Sequence, residues 1–380
     1  MEIRENNNKK LIAFYLPQYH CIPENDEAYG KGFTEWTNTK KAEPLFEGHY
    51  QPKIPLNENY YCLEDINVMK KQVDLAKEYG LYGFCFYHYW FQNGKKLLEK
   101  PIENFLKHKE INFPFCLSWA NENWSRRWDG GNGEIIARQE YGNRIELKKH
   151  ILYLKDFFED PRYIRIDNKP VFLIYRPDLI PNVKKLVRYL RKEAVKLGFD
   201  GLTIMAQHPT YYIERENRDI FDYFVEFEPA YINKINSFEK KDIYKRRLER
   251  IILNVFGENM VSKIKEIVTT KQHKMLEIHN YDRDWKDILK LPVWDKKQIA
   301  GAFVDWDNTA RNKNGLMYEG ACPEKFKTYF EKLCKKVDED YFEKVIFINA
   351  WNEWAEGAYL EPDEKYEYAY LQAIKDILEG

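Results

Sequence analysis

VIFINAWNEWAEGAYLEPD, residues 345–363, joins two unlike kinds of sequence. Val345–Asn349 is a short apolar, β-branched run with no polar alternation, which reads as a strand covered on both faces. From Trp351 onward the composition turns to Trp, Asn and Glu, and Gly357 breaks the run. A strand covered on both faces belongs to a parallel sheet wrapped by helices, and such sheets carry their chemistry at the strand C-termini. Glu353 and Glu356 stand there, three residues apart. In a helical or turn conformation that spacing puts side chains next to one another, about 5–6 Å between Cβ atoms.

Working back toward the N-terminus, short strand-like runs alternate with segments of helical period. The runs are Leu11–Leu16, Tyr82–Tyr89, Phe115–Trp119, Val171–Tyr175, Leu202–Gln207, Tyr223–Phe227, Ala302–Asp305 and Val345–Asn349. Between them Ile66, Met69, Val73 and Ala76, then Leu147, Ile151, Leu154 and Phe158, recur at helical spacing. Pro181 and Pro323 open helices, and Gly80 and Gly198 close them. The pattern predicts an α/β chain, a (β/α)8 TIM barrel within one catalytic domain over residues 1–380. The alternation breaks over about 231–298, which reads as an insertion or lid after strand six. LPQYHCIP comes after strand one, so the Gly-rich loop of a dinucleotide fold is missing there.

Sixty basic residues meet 61 acidic ones, a formal net charge of −1. No long-range field draws the chain to nucleic acid or to an anionic membrane, and the basic run Lys240–Arg250 reads as a solvated helix face. No apolar run reaches the roughly 18 residues of a membrane span. The polar start MEIRENNNKK lacks an apolar h-region, and the six cysteines form no C-x-x-C pair, so a reduced, cytoplasmic protein is expected. No cluster has metal-ligand spacing, and no metal or cofactor is expected. The marked deviation is aromatic: 28 Tyr, 23 Phe and 10 Trp. Aromatic faces stack on the C–H faces of sugars; a tyrosine-rich core is the plainer reading.

A barrel gathers its strand ends on one rim, so the candidates are the residues just beyond each strand. Strand one supplies Tyr19, then Glu35 and Trp36 in GFTEW. Strand two ends on His88, Tyr89 and Trp90, and strand three runs into Trp119, Asn121, Glu122, Asn123 and Trp124. Strand five ends at Gln207 and His208, strand six carries Glu226 and Glu228, and strand seven leads to Asp305 and Trp306. Strand eight brings Trp351 and Asn352 beside the two glutamates. Each also has a structural reading. His88 and His208 touch sugar hydroxyls or are satisfied core-edge histidines. Glu35 touches substrate or pairs with a rim arginine such as Arg126. Asn121 and Glu122 meet substrate or brace their loop. Glu226 and Glu228, two apart, share one face of their strand. For Glu353 and Glu356 the bland reading is a solvated acidic turn; carboxyls at roughly 5 Å instead suit retaining glycoside chemistry, their proximity holding one protonated and one ionised.

NAWNEWAEG with YLEPD, together with FYLPQYH, GFTEW, YGFCFYHYW and LSWANENW, closely resembles the WbsX-like group of polysaccharide-biosynthesis proteins, from about Leu11 to Asp363. That group is related to glycoside hydrolase family 99, the endo-α-mannosidases. The resemblance implies a (β/α)8 barrel and a metal-independent, retaining mechanism on an oligo- or polysaccharide. It implies that Glu353 draws the proton from the sugar 2-OH, giving a 1,2-anhydro intermediate. It implies that Glu356 protonates the leaving oxygen and then activates the acceptor. By the same resemblance Glu226 and Glu228 are candidate sugar contacts. The expected substrates are α-mannoside- or α-rhamnoside-like, with an axial 2-OH. Hydrolysis, glycosyl transfer in surface-polysaccharide synthesis and non-catalytic glycan binding all remain open, as does a structural role in an assembly complex. D-W-D at Asp305–Asp307 matches a D-x-D pattern but stands at a strand end, and is read as a rim contact.

Overall fold

The computed structural model describes residues 1–3, 8–126, 134–207, 218–237 and 276–380. Among them, eight parallel strands close into a barrel: β1 (Lys10–Tyr15), β2 (Gly83–Trp90), β3 (Phe115–Trp119), β4 (Lys169–Ile174), β5 (Thr203–Ala206), β6 (Tyr223–Val225), β7 (Gln298–Phe303) and β8 (Val345–Asn349). Each pairs with its neighbours in chain order, and β1 pairs with both β2 and β8, which closes the ring. The barrel helices are α1 (Ile66–Glu78), α2 (Lys100–Lys107), α3 (Arg144–Phe158), α4 (Val183–Lys196), α5 (Tyr281–Lys290), α6 (Pro323–Asp340) and α7 (Ala369–Glu379). Side-chain caps start several of them: Asp65 accepts from the Asn67 amide, and Asn143 from the Ile145 and Glu146 amides.

Period two sorts each strand into an inner and an outer face. On β1, Phe14 points inward, with ring centroids 5.0 Å from Phe227, 5.4 Å from Phe347 and 5.8 Å from Tyr87. Tyr15, the next residue, points outward, and its hydroxyl donates to Gln72 Oε1 on α1 at 2.6 Å. The lumen is therefore an aromatic plug rather than a channel, and it forms the floor beneath whatever sits at the rim. The outer face packs on helices through Phe84, Phe86 and Phe105.

Two expectations shift. The seventh strand begins at Gln298, four residues before the expected Ala302. The part ahead of Ala302 contains Ala300 and Gly301, which carry little β signal. Small residues are required there: a Cβ on Gly301 would lie 1.6 Å from the Glu226 carbonyl oxygen. The stretch 231–298, expected as an insertion, contains α5, which packs into the barrel wall. Trp285 is fully buried there, stacked with Phe303 at 5.4 Å and Tyr329 at 5.8 Å. Residues 238–275, with the basic run Lys240–Arg250, lie outside the described residues.

Candidate active site

After β8 the chain makes a short strand pair, Asn352–Glu353 with Ala358–Tyr359, around a 3-10 turn over Trp354–Glu356. Gly357 ends the turn at φ 63°, the left-handed region that disfavours a Cβ, and an added Cβ would press on Asp307 at 3.0 Å. The turn is pinned from both neighbouring strands. Asn352 forks onto Leu16 just beyond β1, accepting from its amide at 2.7 Å and donating to its carbonyl at 3.0 Å. The Tyr19 hydroxyl donates to the Asn352 carbonyl and accepts from the Trp354 amide at 3.3 Å. On the β7 side the Asp307 amide donates to the Glu356 carbonyl at 2.6 Å.

Behind the turn lies Glu361, a buried carboxylate with four donors. Gln72 Nε2 (2.6 Å) and Trp351 Nε1 (3.1 Å) reach one oxygen; Trp354 Nε1 (2.7 Å) and the Tyr61 hydroxyl (2.8 Å) reach the other. Burial pushes its carboxyl up to about 7 against those four donors. Trp351 and Trp354, which flank Glu353, thus have their indoles fixed by one anion. Trp36 packs on Trp354 at 5.5 Å and on Tyr19 at 4.6 Å, and donates to the Tyr61 carbonyl at 2.8 Å. Tyr19, Trp36, Trp351 and Asn352 are therefore the scaffold of the turn.

The turn presents Glu353 and Glu356 to a pocket of about 160 Å³ on the aromatic plug. Tyr87, Tyr89, Trp124, Tyr175, Phe227 and Trp306 form its walls, with Gln18, Glu122 and Arg311. One guanidinium organises the carboxylates. Arg311 donates from Nε to Glu35 Oε1 at 2.9 Å, from Nη2 to Glu353 Oε2 at 3.4 Å, and from Nη1 to Glu356 Oε1. Three carboxylates thus share one cation. Glu353 is held well above the ordinary carboxylate range, first by burial and then by the charge of Glu356, with Arg311 opposing. Burial also raises Glu356, and Arg311 is the main force against it. The side chain of Glu353 is 7% exposed and that of Glu356 is 20%, so Glu356 stands nearer the mouth. Tyr19 and Tyr87 are buried and their hydroxyls stay neutral, pushed up by desolvation and by the nearby carboxylates. Among the described residues no group of three or more metal-ligating side chains is gathered.

Several expected contacts face the other way. His88, between the inward Tyr87 and Tyr89, points to α3, where its Nε2 meets His150 Nε2 at 2.9 Å; burial lowers the His88 ring to about 3. Trp119 donates to the Trp90 carbonyl at 3.1 Å in the same wall. Glu226 accepts from Gln298 (2.7 Å) and from the Tyr341 hydroxyl (2.5 Å), and Glu228 from the Ile232 amide (3.0 Å). The shared face of these two glutamates is the outer one; Phe227, between them, lines the pocket. Asn121 braces its loop, donating to the Tyr141 hydroxyl and the Arg176 carbonyl. Glu122 stands at the mouth, ion-paired to Arg176 at 2.6 Å. Glu35 pairs with Arg311 rather than with Arg126, which stands 3.9 Å from Glu134. Asp305 faces a neighbouring cavity, beside Lys53. His208 lies outside the described residues.

Arg311, Tyr87 and Phe227 escaped the sequence reading. Parity would have given the two aromatics, because each sits one residue from an outward-facing group. Arg311 had only a faint signal, as the first cation after the DWD of strand seven.

Residues 11–374 match the family model described as Glycosyltransferase WbsX. The chain belongs to the WbsX glycosyltransferase family. It is 36% identical over 379 residues to a Xanthomonas campestris pv. campestris protein described as "Uncharacterized protein WxcX", in two strains. The match covers 97% of this chain and 49% of the relative, so the chain spans about half the length of the curated relatives it matches. Among solved structures, the GH99 endo-α-mannosidase of Bacteroides thetaiotaomicron is similar with TM-score 0.51 and 13% identity, covering 97% of this chain and 96% of that one. A "Glycoside hydrolase-like protein" gives TM-score 0.58 and 13% identity, covering 98% and 94%. These likenesses establish the shared barrel fold of this WbsX-family chain.

Proposed function

We propose that this WbsX-family chain is a retaining carbohydrate-active enzyme on α-linked glycans with an axial 2-OH, such as α-mannosides or α-rhamnosides. The observation that carries it is the shared fork of Arg311, which brings Glu353 and Glu356 within the span of one guanidinium at the edge of an aromatic pocket. Glu353 acts as a base in its ionised form, which Arg311 Nη2 supports against burial and the charge of Glu356; its raised proton affinity then strengthens it for taking the proton of the sugar 2-OH. The freed 2-oxygen attacks the anomeric carbon as the glycosidic C–O bond breaks, and Glu356 gives its proton to the departing oxygen. Glu356 then takes a proton from the acceptor hydroxyl. The acceptor opens the 1,2-anhydro ring at the anomeric carbon, and Glu353 returns its proton to the 2-oxygen.

Glu356 needs a proton for the first half, while Arg311 favours its ionised form. Glu35 supplies the alternative partner. It is buried, one oxygen holds Arg311, and Glu35 Oε2 has no hydrogen-bond partner. A small shift of the guanidinium toward Glu35 would release Glu356 to be protonated. Glu35 is then a positioning residue rather than a sugar contact.

Water as acceptor gives hydrolysis; a sugar hydroxyl gives transfer, which the family description favours. Six free thiols, two of them exposed, suit a reducing compartment and hence cytoplasmic synthesis. No described helix is long and apolar enough to cross a membrane. The test is incubation with α-mannan, α-rhamnan and O-antigen-type oligosaccharides, read by mass spectrometry with and without added acceptor sugars. Glu356→Gln should lower turnover by about 10³-fold, the scale of a lost general acid, with glycan binding retained. Full turnover in that variant would remove the acid assignment. Binding of glycans with no conversion by the parent chain would make this a lectin-like barrel.

A further inference from the structure

Beside the catalytic pocket lies a second cavity of about 430 Å³. The chain leaving β7 separates the two. Trp306 faces the catalytic pocket, while Asp305 and Asp307, one residue to either side, face the second cavity. Asp307 is fully engaged there, accepting from His49 (3.0 Å), Gln51 (2.7 Å) and Thr309 (2.5 Å). Asp305 is not. One of its oxygens accepts from the Trp306 amide at 2.8 Å, and the other stands 3.5 Å from Lys53 Nζ. Lys53 is 5% exposed, a position an ammonium seldom occupies. It lines the cavity, and its three N–H donors have that one long carboxylate contact and the Tyr50 ring at 4.6 Å. A buried ammonium and a carboxylate side by side, each with bonding capacity left, match a pair of adjacent hydroxyls, one donating and one accepting.

The wall supplies the apolar counterpart. Phe46 is 44% exposed, and its ring is backed by His49 at 4.8 Å and nearly parallel to it. An exposed ring held flat from behind is a stacking platform for the C–H face of a sugar. The charges do not favour an anion: Lys53 is offset by Asp305, and Glu47 and Glu319 line the cavity with Lys365.

We propose that this cavity is a second sugar subsite, holding a neutral ring of the same glycan with vicinal hydroxyls on Lys53 and Asp305 and a C–H face on Phe46. The assignment rests on the glycan-processing reading, since it continues a chain whose reacting ring lies in the small pocket across Trp306. It makes the enzyme selective for length: single sugars fill one site and oligosaccharides fill both.

The probes are α-linked mannotriose and rhamnotriose against the corresponding methyl monosides, titrated calorimetrically into the full chain carrying Glu356→Gln. Lys53→Met, Asp305→Asn and the surface change Phe46→Ala are each added to it. The expected result is a loss of ten-fold or more in trisaccharide affinity for the two polar variants and about three-fold for Phe46→Ala, with monoside affinity unmoved. Phe46→Ala guards against misfolding, because its side chain is half in solvent. Equal losses for monoside and trisaccharide, no loss at all, or no trisaccharide binding by the starting chain would each overturn the subsite. Length-dependent binding without turnover by the parent chain would keep the subsite and sink the catalytic reading. Turnover indifferent to Lys53 and Asp305 would do the reverse.

Discussion

Two arcs of the same rim treat their polar residues in opposite ways. Where β7, β8 and β1 meet, Glu35, Arg311, Glu353 and Glu356 converge on one pocket. Along β2, β3 and β6, His88, Trp119, Glu226 and Glu228 turn outward and are consumed in the wall. Both arcs are rich in groups that can do chemistry. What separates them is parity: one residue along a strand moves a side chain from the lumen to the helix layer. Within a strand, a polar residue faces the lumen only when its neighbours on either side are the ones that face the helices.

That contrast can be broken by experiment. The largest expected effect belongs to the wall, in acid. Burial lowers His88 to about 3 and holds its partner His150 well below its usual value, both under the 6.5 of an unfolded histidine. The unfolded chain binds more protons in that window, so the stability is present above pH 6.5 and is lost as pH falls toward the folded values. Going from pH 7 to pH 5 should cost about 2 kcal/mol for each histidine, read by urea unfolding at the two pH values. A flat profile would mean these rings are not buried as neutral groups.

Glu226→Ala should come next, costing about 1–3 kcal/mol by stranding Tyr341 and Gln298, while KM for any glycan stays unchanged. A raised KM with full stability would return Glu226 to the sugar-contacting set. On the arc that gathers the glutamates, Arg311→Met should behave in the opposite way. Without the guanidinium the proton affinity of Glu356 rises, so the alkaline limb of kcat/KM should move up by about one pH unit or more. A lowered limb would mean Arg311 is not the counter-ion of the acid. The smallest effect is expected at Gly357→Ala, about 1 kcal/mol in thermal stability from the positive φ, with a larger fall in kcat because the turn carries Glu356.

Much of this was legible beforehand. VIFIN and VFLIY announced covered strands because parallel strands leave no face to water, and E-x-x-E after the last of them located the two carboxylates. β7 was read late because Ala300 and Gly301 are chosen for closeness to β6, not for strand propensity. α5 was lost because its neighbours in sequence broke the alternation. The inward or outward sense of His88 and Glu226 was hidden for a different reason: it depends on where each strand starts, and a shift of one residue reverses every assignment. Arg311 and Lys53 come from loops, where no period links sequence to direction.

The fork of Asn352 onto Leu16 spans 336 residues of chain, from the last strand to the first. During synthesis β1 emerges first and keeps an unpaired edge until β8 arrives. The loop that holds Glu353 and Glu356 is therefore fastened only when the ring is sealed. A chain that stops short of β8 lacks Phe347, which packs on Phe14 in the lumen, and both glutamates. Closure of the ring and placement of the two glutamates are thus one event.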